Sequence, residues 1–480
     1  MRVLGRVLSI ILPVAILLAI AVPNILSGND RGRGYSDQVN YHQRVVETFS
    51  RQWPAPDLSD YPGVMTPLYH LLQAFVHRHI TDDWRLLQFF GSIWGPITLL
   101  VVWVGIWTAS GLRIGSLRHA ALLLPLTCSM YVWDSTAWLL PDNMAWAIVA
   151  AILALCFGPV RDPGRYRSIA AAGALLLVLI ATRQSNIWLA APIWVWAALR
   201  NDPDGQTLAG AFADPAPRIK RGLIAVIATL PAFILLGWFF VTWGGRLQPP
   251  MWDEWYARKW NPSAGPFVLS LVGLFSVFFA GVLLPTAIDL LRRRPLVVLA
   301  SMLITLAIGV SAPSTYDMSQ GRYGAIWSLA DKFPSISGRA LLIVGLAALA
   351  GPALVCWATA LDFRRRWVFV TALAAFAATQ YKNPWLYQRY ADPLLLILFA
   401  LAAASLAGPL ARVAEERRRV HAVGCPLADF CENLARPAAI AGPVILAILL
   451  GLMGVQTMRS ATTPTILPPG SIGHPPTVRR

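Results

Sequence analysis

Long apolar runs, broken by short polar stretches, repeat along the whole chain. Thirteen can be bounded, at 7–26, 88–110, 119–133, 142–158, 169–182, 186–199, 222–243, 266–290, 296–312, 340–361, 367–380, 390–410 and 437–457. A helix crossing the hydrocarbon core needs about 20 residues. The runs at 119–133, 169–182 and 186–199 are shorter and read as tilted helices shielded by their neighbours. The pattern predicts an all-α polytopic membrane protein with about 13 transmembrane helices, bracketed at about 11 to 14. Residues 1–459 form one transmembrane domain, with a first extracytoplasmic loop at 27–87 and a basic cytoplasmic connector at 411–436. The segment 460–480, with its Thr-Pro and Pro-Pro steps, reads as a disordered Pro-rich tail.

Charge orients this array. With Arg2 and Arg6 in the cytoplasm, thirteen crossings put these groups on the same side: Arg113 and Arg118; Arg161, Arg165 and Arg167; Arg200, Arg218, Lys220 and Arg221; Arg292 to Arg294; Arg364 to Arg366; and Arg412, Arg417 to Arg419 and Arg436. This is the positive-inside bias. The first run follows two arginines, as in a signal peptide, but at about 20 residues it is long enough to span the bilayer. It reads as a retained signal-anchor helix.

Composition agrees. Of 480 residues 56% are hydrophobic and 13% charged, with a mean hydropathy of +0.56, whereas soluble domains carry about 25% charged residues. The net charge of +16 does not point to nucleic acid, because the basic residues sit in short clusters between apolar runs. Only four of the 40 basic residues are lysine. That bias suggests GC-rich coding and a bacterial plasma membrane, or the endoplasmic reticulum if the source is eukaryotic. Five scattered cysteines form neither a disulfide framework nor a zinc pattern. The cytoplasmic loops carry no Walker motif or Gly-rich phosphate loop, which argues against an ATP-driven pump.

The outer segments hold the chemistry. The first loop contains Asp37, Gln38, His42 and His70, with a helical stretch to about Trp53 and an amphipathic surface helix over 66–79. Asp134 and Asp142 flank the third and fourth runs. Arg183, Gln184 and Asn186 interrupt two runs, and Lys382 and Arg389 lie in 381–392. Further charges fall in 244–265 and 313–339. Charges near membrane depth are expensive and tend to mark function. Asp37 suits a general base or a cap for the helix that follows. Arg183 suits a phosphate oxygen or a snorkelling interfacial position. Lys382 and Arg389 sit where interfacial cations are common. Asp134 and Asp142 read as helix caps more readily than as second acids, and His42 and His70 as surface residues more readily than as substrate-orienting groups. No spacing resembles a metal site.

Two of these segments also resemble a known family. Asp37-Gln38 with His42, then Thr66-Pro67-Leu68-Tyr69, and above all Arg183-Gln184-Ser185-Asn186-Ile187-Trp188 resemble motifs of the GT-C superfamily of polytopic glycosyltransferases. Within it they are most like the alpha-1,2-glucosyltransferases of lipid-linked N-glycan assembly. The likeness covers roughly the first 200 residues. Gln38 stands where the family has a second acid, a departure from a two-carboxylate site and from a divalent metal in the first loop. The resemblance implies a polyprenyl-phosphate sugar as donor, no further cofactor, and a glycan or lipid-linked acceptor. Asp37 would be the catalytic base. Gln38, His42, His70, Arg183, Gln184, Asn186, Lys382 and Arg389 would bind substrate. The rival expectation from the chain pattern is a transporter or flippase, which would show internal repeats and polar groups at the midplane.

Overall fold

The computed structural model describes residues 2–112, 114–159, 166–199, 215–254, 256, 260–406 and 426–460. The connector expected at 411–436 lies outside them as far as residue 425, and the tail lies outside from 461 onward. Arg113, Arg161, Arg165, Arg200, Arg258 and Lys259 are also outside the described residues.

The described chain is almost all helix. The elements are α1 (Arg2–Leu26), α2 (Gly32–Asp37), a π turn (Gln38–His42), α3 (Gln43–Arg51), α4 (Leu68–His79), α5 (Trp84–Ser92), α6 (Trp94–Ala109), α7 (Ser116–Thr127), α8 (Met130–Ala137), α9 (Asp142–Phe157) and α10 (Arg167–Thr182). There follow a 3-10 turn (Gln184–Leu189), α11 (Ala190–Ala198), α12 (Ala216–Thr242), α13 (Ala264–Phe278), α14 (Ala280–Arg293), α15 (Pro295–Val310), α16 (Ala325–Ala330) and α17 (Leu341–Ala360). The last are α18 (Phe363–Gln380), a 3-10 turn (Gln388–Tyr390), α19 (Asp392–Ser405) and α20 (Pro426–Ser460). One antiparallel pair of two-residue strands, Ser335–Ile336 with Arg339–Ala340, is the sheet among the described residues.

Every apolar run carries helix, though not as thirteen straight spans. Among the described residues five helical stretches are long and apolar enough to cross a membrane: Val7–Leu26, Trp84–Ala109, Ala216–Thr242, Leu341–Ala360 and Pro437–Met458. The chain is therefore a multi-pass helical membrane protein. The run at 266–290, expected as one helix, is two helices meeting at 99°. The chain leaves helical geometry at Phe279 (φ −99°, ψ 8°), whose N–H turns back to the Ser276 carbonyl. A break made inside a long, largely apolar run leaves no mark in the periodicity.

Two central helices, α9 and α19, are apolar on every side and buried almost throughout. Close crossings use small residues, as is usual in bilayers. A Cβ on Gly273 of α13 would run into the Leu346 carbonyl of α17. Outermost are α12 and α15, whose apolar side chains are largely exposed.

The first loop is a continuous helix from Gly32 to Arg51 that passes through the π turn, with α4 packed against it. Within α4, Tyr69, His70, Gln73 and Ala74 turn inward, while Leu72 and Phe75 are exposed. The segments expected on the outer face meet at one end of the bundle. Thr66 N–H donates to Gln184, Trp243 Nε1 to the Leu58 carbonyl, and Asn261 to the Pro384 carbonyl. At the other end, arginines from the expected cytoplasmic clusters bond to the carbonyls that finish helices. Arg365 reaches Phe157 at 2.9 Å and Ala109 at 3.1 Å, Arg364 reaches Gly158 at 2.9 Å, and Arg221 reaches Ala198 at 2.7 Å. These carbonyls lack partners within their own helices, and the cations also meet the negative end of each helix dipole.

Candidate active site

Asp37 ends α2 and lies in right-handed helical geometry (φ −64°, ψ −39°), with no bond from its side chain to the following turn. It is therefore no cap. Its carboxylate instead accepts from Nη1 of Arg389, 352 residues away in sequence. Arg389 sits in the 3-10 turn that leads into α19. That turn is held by Gln388, which accepts from the Ile326 N–H and donates to Asp392, both at 2.8 Å. The Arg389 guanidinium also donates to the Tyr390 hydroxyl at 3.1 Å and lies against the Tyr387 and Tyr390 rings.

Asp142, expected as a cap, is the first residue of α9, behind Pro141 at the cap position, and makes no cap bond. Its carboxylate pairs with Arg183. Arg183 adopts an extended conformation (φ −158°, ψ 100°) that ends α10, and its guanidinium lies 4.7 Å from the Tyr390 ring centre. Asp134 lies inside α8 and is likewise no cap. Burial pushes its carboxyl up to about 7, against the opposing pull of Arg33.

Arg33, Asp37, Tyr131, Asp134, Asp142 and Arg389 line one cleft, and Arg183 reaches it through Asp142. The cleft sets guanidiniums beside carboxylates. Guanidiniums offer paired N–H donors to phosphoryl oxygens, and a carboxylate can take a proton from a hydroxyl. Among the described residues no group of three or more His, Cys, Asp and Glu side chains is placed to hold a metal ion.

The remaining sequence candidates hold this arrangement from behind or stand apart. Gln38 is buried and accepts from Gln88 and from the Leu139 N–H, both at 2.9 Å. His42 and His70 are buried and joined Nδ1 to Nε2 at 2.8 Å, so neither is a surface residue. Burial lowers His42 to about 3, with Asp142 opposing, and takes His70 well below its ordinary value. Both rings are neutral, and one donates to the other. Gln184 accepts from Thr66 N–H and donates to the Val64 and Leu247 carbonyls. Asn186 accepts from the Trp188 indole at 3.3 Å. Lys382 lies 5.8 Å from the Trp260 ring centre and does not line the cleft.

Arg33, Tyr131 and the tyrosines at 387 and 390 escape the sequence reading. Arg33 had a signal. It falls on the side otherwise poor in basic clusters, four residues before Asp37, the spacing at which helical side chains meet.

No protein-family model and no curated protein matches this chain. Among solved structures it is similar to ArnT from Cupriavidus metallidurans in the apo state, at 15% identity over 83% of this chain and 76% of that one, with a TM-score of 0.38. With ArnT bound to undecaprenyl phosphate the figures are 15%, 93%, 88% and 0.39. With the archaeal oligosaccharyltransferase AglB from Archaeoglobus fulgidus, in complex with an inhibitory peptide and a dolichol-phosphate, they are 13%, 96%, 56% and 0.41. The chain thus spans little more than half of AglB. Likenesses this slight carry nothing about function.

Proposed function

We propose that this protein is an inverting glycosyltransferase of the GT-C type. It moves a hexose from a polyprenyl-phosphate carrier to a hydroxyl of a glycan or lipid-linked acceptor at the outer face of the membrane. The observation that carries this reading is the Asp37–Arg389 pair, set in a cleft at one end of an apolar bundle. A lipid-linked donor can reach such a cleft from the bilayer while its charged head stays among arginines. The basic clusters at the opposite end support the outer location.

In the reaction, Asp37 accepts the proton of the acceptor hydroxyl as that oxygen attacks the anomeric carbon. The bond from this carbon to the phosphate oxygen breaks on the opposite face, and the phosphate leaves with the electron pair. The configuration inverts. Arg389 and Arg183 stabilise the growing phosphate charge, commonly a large catalytic contribution. Arg389 is paired with the base. Donor phosphate draws the guanidinium to itself and frees the Asp37 oxygen for the acceptor. Because the 37–42 and 183–188 segments resemble those of alpha-1,2-glucosyltransferases, glucose is the first hexose to test.

The test uses membranes given radiolabelled polyprenyl-phosphate glucose, with Asp37→Asn beside the unaltered protein. Covalent transfer should fall by roughly 10²–10⁴-fold in the variant while its membrane insertion stays normal. Normal transfer by the variant removes Asp37 from the mechanism. Label translocated without covalent transfer favours the flippase instead.

A further inference from the structure

Two of the three carboxylates in the cleft have their own arginine: Asp37 has Arg389 and Asp142 has Arg183. Asp134 and Arg33 do not follow this pattern. Among the described residues neither forms an ion pair or a side-chain hydrogen bond, although both line the same cleft. Arg33 is held by aromatic faces, with its guanidinium carbon 4.5 Å from the Tyr387 ring centre and 5.5 Å from that of Tyr323. Stacking fixes the plane of a guanidinium and leaves its N–H donors for a ligand. A phosphodiester carries one negative charge and two free oxygens. An ionised Asp134 would repel it, whereas a carboxylic acid there has an O–H to give.

We infer that Arg33 and Asp134 form the subsite for the donor's phosphodiester, with Asp134 acting as a neutral acid that donates a hydrogen bond to a phosphoryl oxygen. This rests on the glycosyltransferase reading above and adds a binding residue of a different kind. With the proton on Asp134, three guanidiniums face two carboxylates, and the single positive charge left over matches one phosphodiester. Burial favours that proton, against the pull of Arg33 and Arg389 and with Asp37 and Asp142 on its side. Asp134 is faced by Arg33 and Asp37 from α2, by Arg389 from the turn before α19, and by Asp142 from α9. The other elements packed on α8 bring no charge to the cleft from the side chains described. Arg85 of α5 lies against Gly28, and Arg118 and His119 of α7 bond to the carbonyls of Ala403 and Trp103. No covalent step is involved: the proton stays on Asp134 or is taken up from solvent as the anion binds.

Titration calorimetry on the full-length, detergent-solubilised protein tests this, with farnesyl methyl phosphate as the probe. As a diester it lacks the second ionisation that a monoester has near about 6. At pH 8, heats measured in two buffers of different ionisation enthalpy should show about one proton taken up per probe bound. Affinity should fall at least roughly tenfold from pH 6.5 to 8.5. Asp134→Asn, which keeps a donor without a proton to lose, should bind with no uptake and a flat pH dependence. Arg33→Gln should weaken binding roughly tenfold or more. Binding by the unaltered protein without proton uptake overturns the inference and leaves the glycosyltransferase reading standing, as does uptake that persists in Asp134→Asn. Failure of the unaltered protein to bind the diester at any pH overturns both. Should Asp134→Asn fail to fold, the two-buffer measurement on the unaltered protein decides alone.

Discussion

Arginines gather at both ends of this molecule, and the two sets are used differently. At the cleft end Arg389, Arg183 and Arg33 face carboxylates and tyrosine rings drawn from distant segments. At the opposite end Arg365, Arg364 and Arg221 are spent on backbone carbonyls at the ends of neighbouring helices. The second use satisfies groups that every helix end leaves over, and it holds the bundle together. The first leaves guanidiniums near a cavity, bound to groups a ligand can displace. An arginine is therefore informative about function when its partner is a side chain carried from elsewhere.

This division can be broken by substitution. The largest effect is expected from Arg389→Gln, which should lower transfer by roughly 10²–10³-fold, read as turnover per folded molecule with labelled donor. Arg365→Gln should act on stability instead. Losing charged bonds to two helix ends costs about 1–3 kcal/mol, seen as a lower melting midpoint in detergent with turnover per folded molecule unchanged. Equal losses of turnover in the two variants would end the distinction.

Acid offers a further probe of the cleft end. His42 and His70 are neutral and buried, with folded values below the ordinary one. The contribution of His42 is full above about 6.5 and is lost as pH falls from there toward about 3, by roughly 1.4 kcal/mol per pH unit, and His70 acts in the same direction. Asp134 is shifted the other way and partly offsets this between about 7 and 4. A protein carrying both His42→Gln and His70→Gln should therefore lose less melting temperature between pH 7 and 5 than the unaltered chain. An equal loss in both would mean the pair is protonated in the fold. The smallest effect belongs to Lys382→Gln. Beside Trp260 and outside the cleft, it should change turnover by less than about twofold.

Much of the fold was legible because apolar runs and basic clusters are local signals. All thirteen runs carry helix, and the clusters at 218–221 and 364–366 supply the carbonyl-binding arginines. The bend at Phe279 was not legible, since the polar residue nearest it, Ser276, does not differ from Ser270, which the same helix carries without bending. The site was legible residue by residue but not as pairs. Asp37, Asp134 and Asp142 each stand where a cap is chemically reasonable, and only the fold shows that none of them caps. Which arginine meets which acid depends on contacts across 352 and 41 residues, beyond any spacing rule. Likewise His42 and His70 each look like lone loop histidines until α4 packs on the preceding helix and joins them.

The 352 residues between Asp37 and Arg389 also bear on how the protein is made. At roughly 5–20 residues per second, the ribosome supplies Arg389 some 20 to 70 s after Asp37 has emerged. Arg183 reaches Asp142 within a few seconds at the same rate, being 41 residues behind it. The Asp37 carboxylate must therefore wait for this partner until synthesis has reached residue 389 of 480. A ribosome stalled before residue 389 would leave a product holding both family-like motifs and no working cleft.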